Sequence, residues 1–340
     1  MRYLRPYSGA GEKIKTQMRV LFSLMEQKKI PTRDGFGKGL LKLAEKNQNV
    51  VALEADLGKS VRTEWMKQKF PERVFNFGIS EQDMFVTAAG LASCGKIPFA
   101  GTFAIFTERA YEQIRNTIGW GNMNVKVIGS HGGILTGEDG ASAQTVEDVA
   151  VYRVLPNFIV IVPADAVEAE KSVDVIARHK GPVFMRLTRG GVPVIFDDSY
   201  KFEIGKGKVL KEGKDLTIIA CGPLVAESLR AAEHLEKNGI NARVINMSTI
   251  KPLDNDLVLK CAKETGAIVT AEDHSIIGGL GGAVAEFLAE NYPVPLERVG
   301  VKDKFGESGS PAELYKKYGL TAENIAESAK RVIKRKGKSK

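Results

Sequence analysis

The stretch FGISEQDMF, residues 77–85, sets Glu81 where an apolar strand is expected to turn into an equally apolar helix. Ser80 suits the helix N-cap, and Asp83 falls in the first turn, where negative charge meets the helix dipole favourably. On that pattern Glu81 reads simply as a second first-turn acid. Its flanks allow another reading, because a carboxyl group taken out of water is suited to sharing a proton with a ligand nitrogen.

Further chemistry-bearing segments follow at intervals. In GTFAIFTERAYEQIR, Phe103 and Phe106 stand one helical turn apart and Arg109 follows; two such rings either pack a core or offer a face to a planar ligand. The segment SHGGILTGEDGASAQTVED brings His131, Glu138 and Asp139 into a glycine-rich loop directly after the strand-like run VKVIG. Polar loops of this length are commonly functional, since a short connection would otherwise suffice. PVFMRLTRGG ends a strand with Arg186 and Arg189, whose guanidinium forks match phosphate or carboxylate as well as surface acids. AEDHSIIGGLGG has the strand, glycines and helix of a dinucleotide site, but its glycines miss the G-x-G-x-x-G spacing and it lies late in the chain, which excludes an NAD reading. His274 in this segment is expected to be structural.

These segments must be held by a scaffold. NVVAL, VKVIG, FIVIVP, VFMRL, LTIIACG, ARVINM and AIVTAED are continuous apolar runs, as expected of strands buried on both faces of parallel sheets. Helix-period segments alternate with them, for example VAESLRAAEHLEKNG, which Gly239 should stop. The fold class is therefore α/β, doubly wound, with ligand loops at the carboxyl ends of strands. At 340 residues the chain should hold two domains, with a boundary near residues 193–207, where PVIFDDSYKFEIGKGKVL breaks the rhythm.

The net charge of +8 belongs to the ends. Residues 1–33 contribute +6 and residues 331–340 another +6, which leaves the body at 8 − 12 = −4. Basic termini of this kind are chiefly solvated, and neither nucleic acid nor membrane is expected as a partner. No apolar run is long enough to span a bilayer, and no secretory signal is evident. Cys94, Cys221 and Cys261 are scattered, which suits a reducing, cytoplasmic compartment, and the four histidines show no zinc-type pairing.

The ordered motifs ADLGKS, FGISEQ, TFAIF, GEDGASAQ, LTRGG and AEDHSIIGGLG resemble the carboxyl-terminal part of a transketolase, over about residues 30–330. The resemblance implies two doubly wound domains with mostly parallel sheets: a thiamine diphosphate pyrimidine-binding domain at 33–196 and a transketolase C-terminal domain at 203–330. A basic extension, 1–32, and a basic tail, 331–340, flank them. It assigns Glu81 the hydrogen bond to N1′ of the aminopyrimidine, which favours the tautomer whose N4′ takes the proton from C2. Phe103 and Phe106 match aromatic positions beside that ring, with Phe106 the better candidate for direct stacking. Arg109 replaces a tyrosine of long transketolases, and Asp56 matches an acid near the thiazolium edge. Arg33, Ser60 and Arg189 match positions that hold the substrate phosphate, while His131, also a catalytic candidate, and Asp139 match positions that contact sugar hydroxyls. Ala143 departs from the family, which usually has a histidine there.

No GDG motif followed by paired asparagines occurs in the chain. The resemblance therefore implies a partner, a transketolase N-terminal subunit, that brings the diphosphate site and the Mg²⁺ ligands, with two chains of each kind in a heterotetramer. The implied activity is transfer of a glycolaldehyde unit from a ketose phosphate to an aldose phosphate, a step of pentose phosphate carbohydrate metabolism. Two alternatives remain: the beta subunit of a 2-oxo acid dehydrogenase, and a non-catalytic partner that retains the fold.

Overall fold

The structure, a computed structural model, describes residues 28–336. Residues 1–27 of the expected basic extension and 337–340 of the basic tail lie outside the described residues. A short antiparallel pair, β1 (Lys29–Ile30) with β8 (Val192–Pro193), brings the two ends of the first unit together. Between them run β2 (Val50–Glu54), β3 (Val74–Asn76), β4 (Ile97–Phe103), β5 (Lys126–Ser130), β6 (Ile159–Ile161) and β7 (Val183–Arg186). The second unit contributes β9 (Lys208–Lys211), β10 (Leu216–Ala220), β11 (Ala242–Asn246), β12 (Thr249–Lys251), β13 (Ile268–Ser275) and β14 (Leu296–Val301).

Two sheets dominate. The first has the order β12-β6-β7-β5-β4-β2-β3, and the second β14-β13-β10-β11-β9. All pairings within them are parallel except those of the edge strands β12 and β9, so the α/β, mostly parallel architecture is as expected. Strands β2, β5, β6, β7 and β10 are buried along their whole length, which accounts for their continuous apolarity. Strand β12 lies downstream of the sequence break yet pairs with β6 of the first sheet, Thr249 opposite Ile161, so the second unit completes the first unit's sheet.

Two features of packing bear on the site. The helix Thr32–Lys46 sits against the helix Ala166–Arg178 so closely that a Cβ on Gly35 would lie 1.9 Å from the Ala166 carbonyl oxygen. At the same end, the Thr32 N–H donates to Thr188 Oγ1 at 3.1 Å and the Thr188 N–H to Thr32 Oγ1 at 2.7 Å. These reciprocal bonds set the following residues, Arg33 and Arg189, at one corner of the sheet's carboxyl edge.

The apolar flank expected before Glu81 differs from the sequence reading. Strand β3 is an edge strand, Phe75 is 40% exposed and Ile79 is 75% exposed. Their apolarity does not serve this chain's core. Ser80 precedes the helix Glu81–Ser93 without a side-chain capping bond, contrary to expectation; the turn closes through the Met84 N–H to the Ser80 carbonyl at 3.0 Å.

Candidate active site

Glu81 opens its helix only 2% exposed. Its Oε2 makes no hydrogen bond among the described residues; the nearest cation, Arg109 Nε, stands 3.9 Å away on a side chain that is mostly in water. A buried polar atom without a partner costs about 1–3 kcal/mol, and more when charged. Folding therefore supplies no reason for a carboxyl group here, whereas a ligand that donates a hydrogen bond does. Gln82 Nε2 reaches the Arg109 carbonyl at 3.5 Å and so ties the start of this helix to the end of the helix Ala104–Arg109.

Phe103 ends β4, and Phe106 lies in that short helix. Their rings stack at 5.3 Å between centroids with planes 5° apart, and Phe103 also stacks on the His131 imidazole at 3.7 Å. The register explains the contact: Phe103 pairs with Ser130, so the residue after β5 is delivered beside the residue that ends β4. His131 takes φ 61, the left-handed conformation that side-chain-bearing residues seldom hold without cause.

The His131 ring is 2% exposed and is pushed down to about 3 by burial first, then by Arg33, Arg189 and Arg62. Nε2 faces Arg33 Nη1 at 3.4 Å, which requires a lone pair there, and Nδ1 lies 2.9 Å from Ser130 Oγ. The imidazole is thus neutral, with its proton on Nδ1 directed at Ser130. Arg33 also donates to the Ser60 carbonyl at 3.1 Å; burial and then Arg62 lower its pKa from the ordinary guanidinium value. Arg189 bonds the Thr136 carbonyl at 2.8 Å and pairs with Glu138 at 3.1 Å and Asp139 at 3.5 Å. Asp56, at φ 59, shares a cleft of about 420 Å³ with Ser60 and Asn76.

The structure thus brings Phe103, Phe106, His131, Arg33 and Ser60 into one connected set, links Arg189 and Asp139 to it through the Thr136 hydroxyl on the His131 carbonyl, and seats Glu81 with Arg109. Asp56 stands in the cleft beside Ser60, bonded to Asn76 rather than to that set. Arg186 does not join. It is buried, 2.8 Å from Asp148, and donates to the Asp273 and Thr145 carbonyls, so it is an internal strut and not an anion ligand. His274 is structural, its Nδ1 meeting the Ser275 carbonyl at 2.7 Å and its Nε2 accepting the Ala150 N–H at 3.3 Å.

Sequence reasoning missed three contributors. Arg62, at φ 66 between two short helices and 2.6 Å from Asp34, adds a third guanidinium near His131. Glu54 accepts the N–H groups of Leu57 and Gly58 at 2.7 and 3.0 Å and so shapes the turn that carries Asp56 and Ser60. Its signal was available: an acid closing an otherwise apolar strand, at the carboxyl end where ligand loops begin. Asp273, from the second sheet, accepts the Ile134 and Leu135 N–H groups and the Tyr315 hydroxyl. Among the described residues no group of three or more His, Cys, Asp or Glu could hold a metal ion, and no helix is long and apolar enough to cross a membrane.

A doubly wound unit that carries a candidate site at the carboxyl edge of its sheet, joined to a second mostly parallel α/β unit, is an architecture of thiamine-dependent transferases. The model of the transketolase pyrimidine-binding domain matches residues 28–194, and that of the transketolase C-terminal domain residues 205–325. The chain belongs to the transketolase family. It is 48% identical to a putative transketolase C-terminal section of Methanocaldococcus jannaschii, over 86% of this chain and 93% of that protein. It is 43% identical to a 6-deoxy-6-sulfo-D-fructose transketolase subunit of Clostridium sp., over 89% of this chain and 95% of that protein. A solved split gene transketolase, an inactive beta4 tetramer, superposes with a TM-score of 0.85 at 50% identity and covers 90% of this chain and 99% of that one.

Proposed function

We propose that this chain is the C-terminal subunit of a split transketolase, which moves a two-carbon glycolaldehyde unit from a ketose phosphate to an aldose phosphate in assembly with an N-terminal subunit. The observation that carries the reading is the buried Glu81 Oε2, which has no hydrogen-bond partner among the described residues, at the start of a helix tied through Gln82 and the Arg109 carbonyl to the short helix that carries Phe106. That pair of features fits the aminopyrimidine of thiamine diphosphate: Glu81 would hold N1′ and Phe106 would lie on the ring, because the Phe103 ring is already engaged by both Phe106 and His131. When bound, this cofactor supplies the nucleophilic carbon and electron sink that allow the C2–C3 bond of a ketose to break.

The chain's own residues bind and orient. Arg33 and Arg189, with Arg62 behind them and Ser60 alongside, form a cationic corner for the anionic end of the sugar. Asp139 is turned toward the same corner by its pairing with Arg189 and would accept sugar hydroxyls. His131, neutral at physiological pH, acts through Nε2 as a hydrogen-bond acceptor for a hydroxyl once Arg33 turns to the phosphate. Asp56 would face the thiazolium side, and Arg109 would close the mouth beside Glu81. The diphosphate and Mg²⁺ fall to the partner chain, and the exposed apolar Phe75 and Ile79 that precede Glu81 suit a surface such a chain would cover.

A guanidinium fork can also hold a sulfonate, which presents similar acceptor oxygens with less charge than a phosphate. The name of the Clostridium relative therefore adds sulfonated ketoses to the donors worth assaying. The test uses the chain purified gently with whatever second chain accompanies it. With thiamine diphosphate and Mg²⁺, xylulose 5-phosphate and ribose 5-phosphate should give sedoheptulose 7-phosphate only when the second chain is present. A stoichiometric second chain with no turnover of phosphorylated or sulfonated ketoses would move the assignment to 2-oxo acid chemistry, and the absence of any second chain to a non-catalytic role.

A further inference from the structure

A cavity of about 640 Å³ lies on the second unit, against the edge strand β14 and beyond its carboxyl end. Its size is that of a small-molecule site. Six cationic side chains line it, Arg298, Lys302, Lys304, Lys316, Lys317 and Arg331, against the single carboxylate of Glu307. Five of the six lie in the part of the chain that is net acidic, and Arg331 opens the basic tail. Neutralisation inside the cavity is incomplete. Lys317 is taken up by Glu307 at 2.5 Å and Arg331 by Glu297 at 3.5 Å, while Lys302, Lys304 and Lys316 enter no ion pair among the described residues. At the rim the Phe305 ring is 80% exposed, a large apolar face with no role in the core.

We propose that this cavity is a binding site for a phosphorylated small molecule carrying at least two phosphate charges. Three ammonium groups in a concave site that enter no ion pair among the described residues attract multiply charged phosphate strongly. Phe305 is placed to stack on a ring attached to the phosphates. None of the lining residues belongs to the Glu81 and His131 set. The loop is nevertheless joined to it, because the Glu307 carbonyl accepts Gln144 Nε2 at 3.0 Å and the same amide reaches the Gly137 carbonyl in the glycine-rich loop.

Calorimetric titration of the full chain, in the assembly in which it purifies, tests this with pyrophosphate and with ADP. The result expected is saturable binding of both that survives Arg189→Ala and weakens at least about tenfold in Lys302→Gln with Lys304→Gln, two exposed positions whose loss leaves the circular dichroism spectrum unchanged. Phe305→Ala should weaken ADP and leave pyrophosphate as it was, which identifies a ring-bearing ligand; equal loss or no loss for both identifies a phosphate-only ligand. No saturable binding, or binding abolished by Arg189→Ala and indifferent to the lysine pair, would overturn the proposal. Because the readout is binding and not turnover, the result is independent of the transketolase assignment.

Discussion

Asp273, on the second sheet, accepts the backbone N–H of Ile134, on the glycine-rich loop of the first, at 2.9 Å. The same carboxylate takes the Leu135 N–H and the Tyr315 hydroxyl, and Arg186 anchors the Asp273 carbonyl from the far side. The C-terminal unit thereby holds the loop that begins with His131. Asp273→Ala strands two buried N–H groups and a hydroxyl, at about 1–3 kcal/mol each when nothing replaces the bond. It should lower unfolding free energy by about 3 kcal/mol in urea titration and speed hydrogen exchange at Ile134 and Leu135. Unchanged exchange there would mean the loop is held by other contacts.

His131 gives a pH signature. Its pKa is lowered from the ordinary 6.5 to about 3, so between those values the unfolded chain binds the proton and the folded chain does not. Stability from this group is present above pH 6.5 and is lost as pH falls toward 3. The imidazole resonances should stay constant across neutrality, and Arg33→Ala, by removing the guanidinium that faces Nε2 at 3.4 Å, should move their titration upward. Titration of wild-type His131 near its ordinary value would remove the neutral acceptor role given to it.

Glu108 has the opposite sign. Burial, then the charges of Asp148 and Glu147, push it up from 4.5 to about 8. Between those values the folded chain holds the proton that the unfolded chain has released, so this contribution is full below pH 4.5 and is lost as pH rises through 8. Glu108→Gln keeps an oxygen for the Thr145 hydroxyl, bonded at 3.1 Å. The variant should show a flatter fall in melting temperature between neutral and mildly alkaline pH than wild type; identical profiles would show that Glu108 does not titrate in that range.

Arg189 separates recognition from chemistry. Arg189→Ala removes a guanidinium from the cationic corner and frees Glu138 and Asp139, its two acidic partners. KM for a phosphorylated donor should rise by about tenfold to a hundredfold while kcat changes little, and an unphosphorylated donor should be used as before. Equal losses on both donors would place Arg189 in loop structure and not in phosphate binding.

The sequence revealed the sheets where burial on both faces leaves a continuous apolar run, as in β2, β5 and β10. It concealed β4, which lies between β2 and β5 and ends at Phe103, because Pro98 and Gly101 punctuate it like a loop. Arg186 and Arg189 look alike on paper, both at the end of one strand. Only packing shows that the first turns inward to Asp148 and the second to the loop of Asp139. Arg62 and Asp273 carried no local signal, since their roles arise from segments that meet only in the folded chain.

The most direct test of the central claim is the turnover of Glu81→Ala in the assembled enzyme, with thiamine diphosphate in excess. The buried Oε2 has no hydrogen-bond partner among the described residues and only a 3.9 Å ion pair with the mostly exposed Arg109, so the variant should keep its fold, melting temperature and partner chain. It should lose ketol transfer by at least about a hundredfold. Turnover equal to wild type in a correctly assembled variant would contradict the role of Glu81, and with it the mechanism.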